Sequence, residues 1–588
     1  MYRAPLRELR FVIDELLPTQ SLASFPGFAD YSMDTAESIL EEAARFAETV
    51  LDPLNRPGDE AGAKWTAEGV VAAPGFKDAY KQFAAGGWPA LGTDPQYGGQ
   101  AVPQVLVTAV QEIWASANLA FKLCPMLTHG AVHALELCGS QEQKRLFLAK
   151  MVSGEWTGTM NLTEPQAGSD LAQIRTRAVP EADHYRLFGQ KIFITWGDHD
   201  CTANIIHMVL GRIEGAPAGV KGISLFIVPK VLVNPDGSLG KPNEVRCVSI
   251  EHKLGIHASP TCVLAYGDHD GAIAYLVGEP NRGLEYMFVM MNAARLSVGL
   301  EGYAVAQRAF QQASEWARTR VQGKPPVSQA GGPATIIQHP DVKRMLLTMK
   351  SSTEGARALA LYAAYQLDVA HQHPQEQQRA AAQARADLLI PIVKGWCTEI
   401  GNEMTGVGVQ IHGGMGFIEE TGAAQYVRDA RITTIYEGTT AIQSNDLIGR
   451  KVGRDGGAAM RALIAEMTRE LPQSGPAAPL GKAVAEAIAQ LGESTEFVVK
   501  AMASRPDTAM AISVPYLMQA GYVISGWLMA KSAGLAAAKL QGQERAFYES
   551  KLQTARFYTD QVLPRALALA RVVRSGAMSV VEADAALI

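Results

Sequence analysis

GSQEQKRLFLAKMVSGEWTGTMNLTEPQAGSD, residues 139–170, changes character half-way along. In SQEQKRLFLAKMVSGE the apolar residues recur at helical spacing, and the same pattern holds from about residue 35 to 158, as in TAESILEEAARFAETVL. NLTEPQAGSD is turn chemistry. Beyond it YRLFGQKIFIT, NIIHMVLGRI, GISLFIVPK and PTCVLAYGD are short β-branched and aromatic runs separated by Gly, Pro, Asn and Asp. Helices therefore give way to a compact strand-rich region over about residues 160–280. These runs do not alternate with helices, which disfavours a doubly wound sheet.

Helical periodicity returns from about residue 285 to 450, in stretches long enough for the paired antiparallel helices of a bundle. The Pro- and Gly-rich residues 322–340 predict a loop within it, as WPALGTDPQYGGQAVPQ does in the first helical region. After GRDGG, the linker-like LPQSGPAAPLG and Ala-rich helical patterns predict one more helical domain. The expected fold is mainly α with a central β domain, in five segments. These are a helical extension at 1–34, an N-terminal helical domain at 35–158, a middle β domain at 159–282, a helical bundle at 283–450 and an additional C-terminal helical domain at 451–588.

The chain has 588 residues, 47% hydrophobic and 19% charged, an ordinary globular composition with length for several domains. A net charge of −6 disfavours a general nucleic-acid binder but leaves room for a local site for one phosphorylated ligand. Six cysteines without a C-x-x-C pair read as reduced thiols, pointing to a cytoplasmic location. The N-terminal MYRAPLRELRFVIDELLP lacks a continuous apolar stretch and predicts an amphipathic helix in place of a secretory signal. VPYLMQAGYVISGWLMA, residues 514–530, contains Pro515 and Gln519 and is short for a membrane span, so a buried core helix is expected, with peripheral membrane contact left open.

IYEGTT, residues 435–440, sets one carboxylate, Glu437, between a tyrosine and a glycine in apolar company, where charge is costly to desolvate. A glutamate so placed has a partner or a chemical role. A raised pKa suits it to act as a base near neutral pH. In NLTEPQAGSD, Thr163, Gly168 and Ser169 offer hydroxyl and backbone N–H donors around a tight turn, suited to a phosphate or a heterocycle edge. KIFITWG puts Phe193 and Thr195 on one strand face by period-two alternation, an apolar wall with a donor beside it. Taken singly, these two motifs read as an ordinary turn and a half-buried strand. GVGVQIHGGMGF, residues 406–417, is not G-x-G-x-x-G and follows a helix, so its glycines favour close backbone approach over Rossmann binding. His129 and His133 stand at i, i+4, but without H-E-x-x-H they read as a core or surface pair, and no metal site is expected.

In this order, GSQEQKRLFLAKMVSGEWTGTMNLTEPQAGSD, GQKIFIT, VQIHGGMGF and RDARITTIYEGT resemble the flavin-dependent acyl-CoA dehydrogenases over roughly residues 35–450. YRAPLRELRFVIDE, KLGIHASPTCVLAYGD and the extra C-terminal domain resemble their long bacterial branch, which includes enzymes acting on fatty acyl-CoA and on 3-methylmercaptopropionyl-CoA. The resemblance implies an N-terminal helical domain, a β-barrel-like middle domain and a helical bundle, with FAD between the last two. It implies that Thr163 and Thr195 hydrogen-bond the flavin, that Phe193 backs the ring, and that Ser169 and Thr439 contact the pyrophosphate. Met160, Leu162 and Gly168 join the same cofactor site. Arg320, Gln410, Gly413 and Gly414 match positions through which a second subunit completes the FAD site, so a homodimer or higher homo-oligomer is implied. Glu437 matches the base that takes the α-proton of an acyl-CoA while the β-hydrogen leaves as hydride to flavin N5. The product is the trans-2-enoyl-CoA, Ser169, Arg295, Tyr436 and Gly438 share the substrate site, and an electron-transferring flavoprotein collects the electrons.

The chain departs from the family pattern at several positions. Some relatives carry the base on a bundle helix, where this chain has Ala294, which leaves Glu437 as the candidate. RVQGK replaces R-x-x-F-G, Ala441 replaces a usual glutamine, and Phe193 stands where tryptophan is frequent. An acyl-CoA oxidase shares the same half-reaction and differs in its reaction with oxygen. A nucleic-acid-associated relative would use a basic C-terminal domain, yet residues 451–588 hold 15 Lys and Arg against 12 Asp and Glu, a slight excess. An inactive assembly partner is disfavoured by the intact Glu437. Acyl chain length is not legible.

Overall fold

A computed structural model describes residues 1–326 and 333–588. By packing these form two compact units, one of Met1, Arg45–Val102 and Ala117–Ala294, the other of Tyr2–Ala44, Pro103–Ser116 and Arg295–Ile588.

The first unit holds the strand-rich region and the helices Asp52–Ala61, Phe76–Ala85 and Leu119–Cys138. Seven strands succeed one another across its main sheet in the order Val245–Ile250, Thr261–Tyr266, His184–Thr195, Ala272–Val277, Ile223–Pro229, Asn204–Ile213 and Trp156–Asn161. An eighth, Arg177–Glu181, pairs with both His184–Thr195 and Asn204–Ile213, which closes a five-strand ring and gives the sheet its barrel-like form. Asn204–Ile213 and Ile223–Pro229 are apolar at successive positions because both faces are covered. Ile206, Met208, Leu225 and Ile227 pack with Ala131 and Leu135 of the helix Leu119–Cys138, while Val209, Phe226 and Val228 belong to the core on the other face. The helical stretch before the sheet starts at a capping box. Ser140 Oγ accepts from the Gln143 N–H at 3.2 Å and Gln143 Oε1 accepts from the Ser140 N–H at 2.9 Å. Ser140→Ala is expected to cost ~1 kcal/mol, read as a lowered urea midpoint of the full chain.

In the second unit the helix Pro340–Gln372 turns through three residues into Glu376–His412, an antiparallel pair. The latter crosses the helix Gly283–Thr319 at Gly302 and Gly401, where a Cβ on Gly401 would lie 2.3 Å from the Gly302 carbonyl oxygen. Only glycine permits that approach. The expected loop at 322–340 has paired ends, with Gln322 N–H donating to Ala334 O and a bridge from Val321 to Thr335, and the next helix begins at Pro340. Residues 327–332 of that loop lie outside the described residues.

The C-terminal region is helical, with Ala458–Arg469, Ala478–Ser504, Ser513–Ala538, Arg545–Phe557 and Pro564–Ser575 as its longer helices. Ser513–Ala538 is buried on nearly all sides, which explains its unpatterned apolar sequence. No helix among the described residues is long and apolar enough to cross a membrane. The N-terminal segment runs from the helix Leu6–Arg10 into a wider turn at Phe11–Leu16 and buries Phe11, Val12, Ile13 and Leu16. Its Glu8 pairs with the buried Lys551, which also bonds Glu354 at 2.8 Å. All six cysteines are free thiols and five are buried.

Candidate active site

Glu437 lies in a short turn between the last residues of a helical stretch, Ile432–Thr434, and the helix Thr440–Asp446. Its φ is +53°, in the left-handed region that costs a non-glycine residue roughly 1–2 kcal/mol, and Gly438 follows at +88°. The strain is held by hydrogen bonds. Gln443 Nε2 donates to the carbonyls of Glu437 at 2.9 Å and Gly438 at 3.3 Å, and Lys394 Nζ donates to Gly438 O at 2.6 Å. Thr439 Oγ1 accepts from the Ile442 N–H at 3.3 Å and caps the helix. A Cβ at position 438 would be strained by the positive φ and would also press on Gln443 Nε2 at 2.9 Å, the donor that holds the turn. The Glu437 N–H bonds no protein acceptor among the described residues.

The apolar company expected from sequence is only half of this environment. Glu437 is half-buried as a residue, yet desolvation is the largest influence on its carboxyl and raises it; Arg295 and Lys394 pull it back, Glu301 pushes it up, and it settles at about 7. Lys394 is driven down by burial, supported by Glu437, Glu301 and Glu399, opposed by Arg295, and settles at about 8. Arg295 Nη1 bonds the buried Asp446 at 3.1 Å, and Thr440 Oγ1 donates to Glu399 at 2.6 Å. The Tyr436 hydroxyl donates to Glu301; burial, then Glu301, raises that phenol well above its ordinary value. Arg295, Tyr436, Glu437, Gly438 and Thr439 are thus brought together in the second unit. The arrangement is a carboxylate poised near neutrality beside two cations.

In the first unit, Ile192 N–H donates to Thr163 O at 2.9 Å and so sets the NLTEPQAGSD turn against the KIFIT strand. The turn is tied down by Glu164, which accepts from Arg175 N–H at 2.7 Å, Thr176 N–H at 3.0 Å, Thr176 Oγ1 at 2.6 Å and Lys191 Nζ at 2.8 Å. Period-two alternation fails just where it was needed. Between Lys191, opposite Leu264, and Ile194, opposite Cys262, the strand carries an extra residue, and Phe193 takes φ +60°. Alternation resumes at the buried Ile194, leaving Phe193 59% exposed and Thr195 half-buried on either side of it. The hydroxyls of Thr163 and Thr195 have no protein partner among the described residues, and Met160 and Leu162 are half-buried nearby in sequence. Gly168 and Ser169 are exposed, with nothing within 4 Å of a Cβ on Gly168. An exposed aromatic ring, two uncommitted hydroxyls and an open turn fit a flat heterocycle carrying phosphates.

Arg320, Gln410, Gly413 and Gly414 are all exposed in the second unit. Trp316 links them, stacking on His412 at 5.4 Å with the Arg320 guanidinium 5.9 Å from its ring. Gly413 has φ +63°, and neither it nor Gly414 has an atom within 4 Å of an added Cβ. His129 and His133 belong to no group of three or more candidate metal ligands among the described residues.

Family models match nearly the whole chain: acyl-CoA dehydrogenase N-terminal domain at residues 33–155, middle domain at 159–268, C-terminal domain at 281–452, and acetyl-CoA dehydrogenase C-terminal like at 458–584. The chain belongs to the acyl-CoA dehydrogenase family. It is therefore an oxidoreductase of acyl-CoA in a family that depends on FAD. Among similar acyl-CoA dehydrogenases, the 3-methylmercaptopropionyl-CoA dehydrogenase of Ruegeria pomeroyi is 47% identical over 568 residues, 96% of each chain. The broad-specificity linear acyl-CoA dehydrogenase FadE5 of Mycobacterium tuberculosis is 35% identical, covering 100% of this chain and 99% of its own. Two solved structures share the fold at 21% identity. Caenorhabditis elegans ACDH-11 in complex with C11-CoA has a TM-score of 0.77 and covers 98% of this chain and 96% of its own, and an acyl-CoA dehydrogenase complexed with FAD from Bacillus anthracis has 0.75, 98% and 93%.

Sequence reasoning missed Lys394, Glu301, Glu399 and Asp446 in this acyl-CoA dehydrogenase. Two of them left a signal. Lys394 in LLIPIVKGWC and Glu301 in SVGLEGYA are single charges inside apolar helical runs, the pattern that marked Glu437.

Proposed function

We propose that this acyl-CoA dehydrogenase removes the α-proton of an acyl-CoA thioester with the Glu437 carboxylate and forms the trans-2-enoyl-CoA. One observation carries the reading: a carboxyl desolvated into the neutral range, at a turn whose own N–H is uncommitted. The base must be ionised before it accepts the proton, so turnover rises with pH through about 7. Arg295 and Lys394 favour the ionised form, and the Glu437 N–H is free to polarise the thioester carbonyl so that the α-proton becomes acidic enough to move. Bound FAD supplies the acceptor for the hydride that leaves the β-carbon. Thr163 and Thr195 would hold its ring with Phe193 behind, Met160 and Leu162 beside them, and Gly168 and Ser169 at its phosphates. Arg320, Gln410, Gly413 and Gly414 of another copy would complete that site, and an electron-transferring flavoprotein would accept the electrons.

For substrate, the 47% identity over 96% of both chains favours 3-methylmercaptopropionyl-CoA, and the full-length match to FadE5 favours linear acyl-CoA as the second reading. Anaerobic bleaching of the purified yellow protein by a panel of short, medium and long acyl-CoAs plus 3-methylmercaptopropionyl-CoA tests both. Fastest bleaching by the sulfur-containing thioester is expected, and no bleaching by any member would end the dehydrogenase reading. Rapid peroxide release in air, with poor transfer to an electron-accepting dye, would make the protein an oxidase instead.

A further inference from the structure

Lys394 is 0% exposed in an otherwise apolar helical run, a costly place for an ammonium. Its walls come in part from the additional C-terminal helices. A Cβ on Gly395 would lie 2.7 Å from Leu517, one on Gly521 would lie 2.2 Å from the Trp396 ring, and Trp396 meets Tyr522 edge-on at 5.5 Å. Ser513 Oγ also bonds Ser444 Oγ at 3.0 Å, on the helix that follows Glu437. The helix Ser513–Ala538 therefore supports both the helix that carries Lys394 and the one that leads away from Glu437. Water is kept from the amine, and its hydrogen bond goes to Gly438 O at 2.6 Å, the carbonyl next to the strained residue.

From these contacts we propose that Lys394 is a positioning residue for the dehydrogenation: anchored on Gly438 O, it sets a positive charge beside the Glu437 carboxylate. The inference rests on the reading of Glu437 as the base. The groups facing the pair are Arg295 and Glu301 from the helix Gly283–Thr319, Glu399 from the helix of Lys394 itself, Tyr436 on the turn, and Asp446, which is bonded to Arg295. Beyond them, Asp429 acts on Tyr436, and Tyr522, bonded to Arg565, faces Glu399. Of these, Arg295 bonds Asp446, and Lys394 bonds the turn directly at Gly438 O.

Lys394→Met keeps the length and apolar packing of the stem, and Gly438 O keeps Gln443 as a donor, so the variant should fold. Loss of an opposite charge beside a carboxyl moves its titration by about one pH unit or more. The acid limb of kcat/KM should therefore shift upward by about that much, with activity about tenfold lower below the limb, recovering toward wild type near pH 9 and with KM little changed. An infrared titration of the resting protein, with the Glu437 band assigned by its loss in Glu437→Gln, should show the same shift without turnover. Lys394→Gln, which retains a donor without the charge, should reproduce it if the Met variant does not accumulate. A folded variant whose carboxyl titrates as in wild type, or whose loss is equal at every pH, would overturn the proposal. A wild type that no acyl-CoA bleaches would instead sink the dehydrogenase reading, and the infrared titration would still judge Lys394.

Discussion

Glu437→Gln is expected to slow acyl-CoA-driven flavin reduction by about 10²–10⁴-fold while making the folded chain more stable above pH 7. Both effects have one cause. The Glu437 carboxyl sits at about 7 in the folded protein against an ordinary 4.5, so the fold prefers it protonated. Below pH 4.5 both folded and unfolded chains carry the proton and nothing is lost. Between 4.5 and 7 the unfolded chain ionises first and stability falls, and above 7 the full penalty applies, roughly 3 kcal/mol before the screening a half-buried group receives. Glutamine has the same size and no charge to desolvate. The variant's melting temperature should exceed that of wild type at pH 8 and converge with it toward pH 4.5. Equal stability at pH 8 would mean that Arg295 and Lys394 already compensate the burial, and that the base is ionised well below neutrality. Equal flavin reduction would mean that another group takes the proton.

Much of the fold is legible in the sequence alone, and the unread remainder has a physical explanation. The change at residues 139–170 separates helix from strand because two periodicities, 3.6 and 2, meet there. Glu437 stood out because a lone carboxylate in apolar sequence is costly. Its cationic neighbours did not, because Arg295 and Lys394 reach it from helices 142 and 43 residues earlier, and a pairing across such distances is set by helix crossing. The crossing at Gly302 and Gly401 is invisible to periodicity, which locates faces and not partners. The bulge that turns out Phe193 was unreadable for a related reason. An inserted strand residue shows only against the register of its neighbour, here Thr261–Tyr266. The two compact units are each assembled from separated stretches of chain, whereas sequence texture can only mark successive segments.

Lys191→Met is expected to cost about 3–5 kcal/mol and to weaken FAD retention, because it strands a buried carboxylate under the turn proposed to hold the flavin. Lys191 is 0% and Glu164 4% exposed, and the pair bonds at 2.8 Å. Burial alone would raise the Glu164 carboxyl; the Lys191 ammonium and the donors from Thr176 and Arg175 outweigh it and hold the group at about 2. The same attraction does not fully restore Lys191, which burial keeps at about 8, and its two bonds, to Glu164 and to Leu162 O at 2.9 Å, place it as the ammonium at neutral pH. Because the folded value of Glu164 is depressed, its contribution is complete above about 4.5 and is lost as the pH falls toward 2. In the Met variant that loss should begin at higher pH, so the deficit in melting temperature should shrink as the solution is acidified. Adding Glu164→Gln should recover part of the stability, since an amide oxygen can still accept from Thr176 and Arg175 without a charge to strand. FAD retention separates the pair's structural role from its place beneath the turn. Leu162 precedes Thr163, so losing the Lys191 bond to its carbonyl should loosen the hydroxyl proposed to hold the flavin even in the rescued double variant. Full FAD retention there would mean that the sheet, through Ile192 and Thr163, is enough to hold the turn.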